Sequence, residues 1–75
     1  VLKNVRTAKR MDLELIPGFQ ATMKTMEEKL GNDGRILVRL SGTEPVVRVM
    51  LEGKDYDIID TMADELCDLI RKADV

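Results

Sequence analysis

The chain is 75 residues long, so it forms one domain at most, and a domain of this size buries only a modest part of its surface. Its 12 basic and 14 acidic side chains nearly balance, and Phe19 and Tyr56 are its only aromatic residues. This composition argues against a nucleic-acid surface, which needs excess positive charge and rings for base stacking. The absence of histidine removes the commonest general base and the commonest metal ligand.

No segment of the sequence is long and apolar enough to span a bilayer, and its opening residues do not have a signal-peptide pattern. Its single cysteine, Cys67, cannot form an internal disulfide and lies in an apolar helical pattern typical of a small core residue. We therefore expect a soluble, cytoplasmic protein with no membrane or nucleic-acid partner. Ten of the 12 basic side chains lie in residues 1–54, so an anionic ligand would favour that part.

The first half of the chain predicts a strand, a loop and a helix. Residues 1–6 alternate loosely and begin at an apolar residue without a cap, which predicts a strand entered from missing sequence. Residues 8–16 are rich in charge and lack a clean period, as in a loop or a frayed strand end. Pro17 is a first-turn helix signal, and Gly31 ends the helix in the tight turn of residues 31–34. The core face of this helix is predicted to hold Phe19, Met23, Met26 and Leu30.

Two strands and a second helix follow. Period-two alternation predicts strands over residues 35–40 and 46–52, joined by a loop from Ser41 to Pro45. Their inward sets are Ile36, Val38 and Leu40, and Val47, Val49 and Leu51. After Gly53, from Asp55 onward, the period becomes helical, with acidic residues early and basic residues late as the macrodipole favours. The predicted apolar stripe of this helix comprises Ile58, Ile59, Met62, Ala63, Leu66, Leu69, Ile70 and Ala73.

The order strand, helix, strand, strand, helix predicts an α+β fold. We expect a small two-layer sandwich in which two helices cover one face of a short, largely antiparallel sheet. The other face is then open. If the alternation holds, Arg39 and Arg48 project from this open face and converge at the mouth of the loop between the last two strands. This face is therefore expected to meet a ligand or a neighbouring domain.

That loop concentrates anion-binding groups in the run Arg39-Leu40-Ser41-Gly42-Thr43-Glu44-Pro45, with Arg48 three positions beyond. The two guanidiniums offer planar forks of donors that match phosphate oxygens. The two hydroxyls add donors, and the glycine lets the backbone approach so that its own N–H can donate. The proline restricts the exit of the loop. These residue types predict a phosphate clamp made of Arg39, Ser41, Gly42, Thr43 and Arg48.

A simpler interpretation is that Arg39 and Arg48 are solvated hairpin arginines paired with Glu44 and Glu52. Two hydroxyls that flank a glycine favour the clamp, because an ordinary hairpin does not need them. No catalytic group accompanies the clamp, since the loop serine has no histidine and no obvious lysine base nearby. The acidic run from Asp55 lacks the glycine turn and distal glutamate of a calcium loop, and a helix start explains it better. We expect binding without catalysis, and no metal site, in this chain.

Residues 39–53 closely resemble the C-terminal signature of the α-D-phosphohexomutase superfamily. Their Arg-Val-Met and Glu-Gly ending is most similar to the bacterial phosphoglucosamine mutases of that superfamily. The Asn-Val-Arg run of residues 4–6 also resembles the strand that opens the last domain of these enzymes, so the likeness covers nearly the whole chain. Leu40 departs from the polar residue or proline that the family more often has there, but it lies between the clamp residues and leaves them unchanged.

The resemblance implies the fourth domain of a four-domain enzyme that interconverts glucosamine 6-phosphate and glucosamine 1-phosphate through a bisphosphate. In that family a phosphoserine, a magnesium loop and a sugar-contacting loop belong to the first three domains, and none of these motifs is present here. The fourth domain holds the phosphate that is not being transferred. The resemblance therefore implies a phosphosugar substrate, magnesium in the full-length enzyme, the other domains of the same polypeptide as partners, and phosphate contacts from Arg39, Ser41, Gly42, Thr43 and Arg48.

Two alternatives stay open. The domain could belong to a phosphomannomutase or phosphoglucomutase of the same superfamily, which the sugar-contacting loop would decide. It could also be a free-standing anion-binding module, which would have its own initiator methionine and no upstream domains.

Overall fold

The computed structural model describes residues 1–8 and 12–74, and in this part of the chain three strands and two α-helices follow one another. Part of the loop expected over residues 8–16 lies outside the described residues. The remainder contains a short 3₁₀ turn, which the sequence did not predict. The main elements are β1 (Leu2–Arg6), α1 (Phe19–Leu30), β2 (Arg35–Leu40), β3 (Val46–Glu52) and α2 (Tyr56–Ala73).

The three strands form one sheet in the order β1-β3-β2, and both pairings are antiparallel. Strand β3 is therefore central, although it is the last strand in the chain. The inward residues Val47, Val49 and Leu51 of β3 are fully buried, whereas those of the edge strand β2 are only half-buried. The predicted α+β sandwich with an antiparallel sheet is confirmed.

Helices α1 and α2 cover the same face of the sheet and enclose a largely aliphatic core with the inward side of β3. Among the described residues, no helix is long and apolar enough to cross a membrane. The buried apolar residues are Val5, Ile16, Phe19, Met26, Val47, Val49, Leu51, Ile59, Met62, Ala63, Leu66, Cys67 and Ile70.

Helix α1 begins at Phe19 rather than at the predicted proline, because Gly18 adopts φ +77° and breaks the backbone just before the first helical residue. Gly31 ends the helix with φ +59°, as expected, and a 3₁₀ turn follows it. Phe19 and Met26 are buried and the other two residues of the predicted face, Met23 and Leu30, are half-buried against the core.

Helix α2 is capped by Asp55, whose Oδ1 accepts a hydrogen bond from the Ile58 N–H at 3.2 Å. Its buried stripe is narrower than the sequence predicted. Ile58 is 51% exposed, and Ala73 is exposed at the end of the helix, so placing these two in the core stripe was wrong. Ile58 faces the groove beside α1 instead of the sheet. It therefore lies at the flank of the helix, one residue before the stripe begins at Ile59.

Two glycines allow the chain to pack closely around the end of β3. A Cβ atom on Gly34 would lie 2.6 Å from the carbonyl oxygen of Glu52, and a Cβ atom on Gly53 would lie 2.8 Å from Cγ2 of Ile59. Any larger residue at either position would require the neighbouring backbone or core side chain to move.

Lys3 joins β1 to α2. Its Nζ lies 3.0 Å from Oδ1 of Asp60 and also donates a hydrogen bond to Asp64. The hydrogen bond to Asp64, followed by that to Asp60, raises the pKa of the Lys3 ammonium above its ordinary value. The pair of carboxylates one helical turn apart therefore favours the charged lysine and orients the helix on the edge strand.

Cys67 is expected to resist alkylation while the chain is folded. It is buried in α2, and this burial raises the pKa of its thiol, so the reactive thiolate is both scarce and shielded. Treatment with iodoacetamide at pH 8 should leave the native chain unlabelled and should label it fully in urea, as measured by mass spectrometry. Stoichiometric labelling without denaturant would contradict the burial of this residue.

Candidate phosphate-binding site

The loop from Ser41 to Pro45 is held in shape by its own backbone. The Ser41 N–H donates to the Val46 carbonyl at 2.8 Å and so closes the loop at its base. The Val46 N–H donates in turn to the Glu44 carbonyl at 2.8 Å. The loop is therefore fixed at both ends before any ligand arrives, which reduces the entropy lost on binding.

Thr7 anchors the same loop from the end of β1. Its backbone N–H and its Oγ1 both donate to the Pro45 carbonyl, at 2.8 Å and 3.0 Å. Thr7 is 5% exposed and is the only buried polar residue in the part of the chain that the structure describes. Sequence reasoning missed this residue, because nothing local marks a contact between positions 38 residues apart.

Arg39 and Arg48 lie directly opposite each other on β2 and β3, and both are exposed on the face that the helices leave open. Glu44 pairs with Arg6 and Glu52 pairs with Arg35, at 3.1 Å and 3.7 Å. Within residues 1–8 and 12–74, no carboxylate lies within ion-pairing distance of Arg39 or Arg48. Two like charges therefore face each other without a counterion among these residues, an unfavourable arrangement that a bound anion would relieve.

A surface cavity of about 460 Å³ lies between the loop and β1. The structure thus brings three of the predicted residues, Ser41, Thr43 and Arg48, to one cavity. Arg39 stands beside it across the β2–β3 pair, and Gly42 is exposed on the loop; neither belongs to its lining. The cavity is lined by Asn4, Arg6, Ser41, Thr43, Glu44, Val46 and Arg48.

The backbone of the loop presents unused donors. The N–H groups of Gly42 and Thr43 donate to no other group in the described part of the chain. No atom lies within 4 Å of the position that a Cβ on Gly42 would take, so the space above this residue is open. Hydroxyls, guanidiniums and free N–H groups within one loop and its flanking strands are the donors by which proteins bind phosphate.

Asn4 and Arg6 are the residues of the cavity that sequence reasoning missed. Because Val5 is buried, its two neighbours project from the open face of the sheet, where Asn4 is opposite Arg48 and Arg6 is opposite Val46. The alternation around Val5 was a signal for their orientation. The pairing of β1 with β3, which brings them to the loop, could not be read from the sequence.

The described residues do not fit a magnesium site. Among them, no three acidic, cysteine or histidine side chains stand close enough together to hold a metal ion.

The domain is a three-stranded antiparallel sheet that is covered by helices on one face and carries an arginine-flanked Ser-Gly-Thr loop between β2 and β3. A sequence model of the family described as phosphoglucomutase/phosphomannomutase, C-terminal domain, matches residues 2–69. The match spans nearly the whole chain. The chain therefore belongs to this family of C-terminal phosphohexomutase domains.

Bacterial phosphoglucosamine mutases are among the relatives of the chain. The chain is 60% identical over 72 residues to the phosphoglucosamine mutase of Desulfotalea psychrophila and 53% identical over 72 residues to that of Pelobacter propionicus. These alignments cover 96% of the chain but only 16% of each relative. The chain thus spans about one sixth of the enzymes that it matches.

The fold also matches a solved structure of a eukaryotic relative. The N-acetylphosphoglucosamine mutase of Aspergillus fumigatus, crystallised with GlcNAc-6P and magnesium, superposes with a TM-score of 0.74 at 31% identity. The superposition covers the whole of this chain and 16% of that enzyme. The same architecture therefore occurs in this fungal enzyme.

Proposed function

We propose that this chain is the phosphate-binding domain of a phosphoglucosamine mutase, an enzyme that interconverts glucosamine 6-phosphate and glucosamine 1-phosphate through a bisphosphate. Membership of the C-terminal domain family and the high identity to two phosphoglucosamine mutases support the assignment. The remaining domains belong to the same polypeptide, and they supply the phosphoryl-transferring group and the magnesium. The isolated domain is accordingly inactive as a mutase.

The observation that carries the proposal is the unpaired arginine pair beside the loop. Arg39 and Arg48 face each other without a carboxylate partner among the described residues, next to the free N–H groups of Gly42 and Thr43. A phosphate dianion held by these groups gains charge-assisted hydrogen bonds, each worth roughly 1.5–3 kcal/mol net. The clamp contacts phosphate and leaves the sugar free.

A clamp of this kind suits a mutase. The bisphosphate must turn end for end between the two half-reactions, so one site has to hold a phosphate from either end of the sugar. Binding energy from this remote phosphate orients the reacting phosphate in the rest of the cleft. Closure of the domain over the cleft would follow filling of the clamp.

The sugar preference is tested by assaying the full-length enzyme that carries this domain. Glucosamine 6-phosphate should have a kcat/KM far above those of mannose 6-phosphate and glucose 6-phosphate. A preference for either of the latter would assign the domain to a phosphomannomutase or phosphoglucomutase. A gene that encodes this chain with no upstream domains would instead indicate a free-standing module.

The clamp itself is tested by filling the space over the loop. Replacing Gly42 with alanine and then with valine should leave the melting temperature unchanged, because no atom lies within 4 Å of the new Cβ and φ is not in the left-handed region. The KM for glucosamine 6-phosphate should rise with side-chain size, by about tenfold for valine if one hydrogen bond is lost. An unchanged KM in the Gly42→Val enzyme would show that phosphate binds elsewhere.

A further inference from the structure

Arg6 reaches the same cavity as Arg48, although it comes from a different strand. It lies at the end of β1, opposite Val46, and lines the cavity together with Ser41 and Thr43. Its Nη2 atom lies 3.1 Å from Oε2 of Glu44, which belongs to the loop itself. Arg6 therefore differs from Arg48, the other arginine that lines the cavity, because the Arg6 guanidinium already forms an ion pair.

Both side chains of this ion pair are exposed to solvent. The side chains of Arg6 and Glu44 keep 71% and 59% of their surface accessible to solvent. An exposed ion pair between two flexible side chains is weak and is easily exchanged for another partner. A phosphate group carries more charge than a carboxylate and offers more acceptor oxygens, so it can displace the carboxylate from the guanidinium.

We propose that Arg6 is a third phosphate-binding arginine of this domain, and that Glu44 competes with the ligand for it. In the empty site the Glu44 carboxylate is paired with the Arg6 guanidinium. When phosphate binds, it replaces the carboxylate as the partner of Arg6. Glu44 thereby lowers the affinity of the site and favours release of the phosphate. The inference rests on the proposed function, because it assigns a further residue to the same phosphate site.

A competing carboxylate in the binding loop is useful to an enzyme that must release its bisphosphate intermediate. If the clamp bound phosphate with all three arginines unopposed, the bisphosphate would leave the domain slowly between half-reactions. A carboxylate that pairs again with one guanidinium as the phosphate leaves makes the release of the bisphosphate faster. The binding loop thus contains both the donors for the phosphate and the acceptor that replaces it.

The test measures inhibition of the full-length enzyme by inorganic phosphate, with glucosamine 6-phosphate as substrate. Arg6→Gln should raise the phosphate inhibition constant by about tenfold, as the loss of one charge-assisted contact predicts. Glu44→Gln should lower the same constant, because Arg6 is then always free. In the double variant Arg6→Gln/Glu44→Gln, replacing Glu44 should lower the inhibition constant by a smaller factor, since the arginine for which Glu44 competes is absent.

Arg35→Gln is the matched control, because this arginine lies on the same sheet and also pairs with a glutamate, Glu52, but does not line the cavity. It should leave the inhibition constant unchanged. Arg48→Gln is the benchmark for the site. Thermal melting of each variant separates lost binding from lost folding, and Arg6→Lys provides a second replacement that keeps the charge.

Three outcomes would overturn the inference. If Arg48→Gln raises the inhibition constant and Arg6→Gln does not, Arg6 is no ligand and the proposed function stands. If neither variant changes the constant, the phosphate site itself is misplaced and both proposals fail. If Glu44→Gln raises the constant as much as Arg6→Gln does, Glu44 positions Arg6 and does not compete with phosphate.

Discussion

Replacing Leu66 with alanine is expected to lower the free energy of unfolding by about 2–5 kcal/mol, the usual range for deleting a buried leucine side chain. Leu66 is fully buried at the centre of the α2 stripe, where the helix packs on β1 and β3. A domain of 75 residues is stabilised by roughly 4–11 kcal/mol in all. This single truncation should therefore remove a large share of the stability of the domain and lower its urea midpoint. Urea denaturation followed by circular dichroism measures the effect.

Ile58→Ala is the control, because it removes a branched aliphatic side chain from the same helix at an exposed position. Its effect should stay within about 1 kcal/mol, since an exposed side chain leaves no cavity when it is removed. Equal losses of stability in the two variants would contradict the exposed position of Ile58 and would support the wider buried stripe that the sequence predicted.

Replacing Arg48 with lysine is expected to reduce the kcat/KM of the full-length enzyme by roughly 10- to 150-fold, equivalent to the 1.5–3 kcal/mol of a charge-assisted hydrogen bond. Lysine keeps the positive charge but loses the planar fork that donates to two phosphate oxygens at once. Arg39→Lys should act in the same direction, because Arg39 faces Arg48 across the strand pair. Steady-state kinetics with glucosamine 6-phosphate measures both variants.

Arg35→Lys is the control for a change in guanidinium chemistry without a change in the site. Arg35 lies on the same strand as Arg39, four residue pairs further from the loop, and interacts with Glu52. Its replacement should change kcat/KM by less than about twofold, because exposed ion pairs contribute little. Equal effects at positions 35 and 48 would contradict the phosphate clamp and would support the interpretation that Arg39 and Arg48 are solvated hairpin arginines.

The sequence predicted the elements best where one short-range pattern dominates. Period-two alternation predicted β2 and β3, and a glycine with positive φ at position 31 ended α1 where expected. The pattern was less reliable at helix flanks, where Ile58 reads as apolar but its exposure depends on the angle at which α2 packs. Hydrophobic period alone does not set that angle, because it identifies a stripe and not the edge of the surface that covers it.

Much of the candidate site was also foreseen, and for a chemical reason. Arginine forks, hydroxyls and a glycine within ten residues are informative in any fold, because they suit one kind of ligand. Residues of β1 were missed, since Asn4 and Arg6 reach the loop only through strand pairing with β3. That the phosphate contacts belong to Arg39, Ser41, Gly42, Thr43 and Arg48 stays a prediction that the kinetic variants address.

By itself the sequence determined what depends on neighbours along the chain: the type and order of the elements, the outward direction of Arg39 and Arg48, and the hydrogen-bond donors that the loop contains. The tertiary structure alone decided the order β1-β3-β2, the anchoring of Pro45 by Thr7, and the pairing of Arg6 with Glu44. Each of these joins residues 38 or more positions apart or reorders the strands. Such contacts arise from burial of the whole core, and no local pattern encodes them.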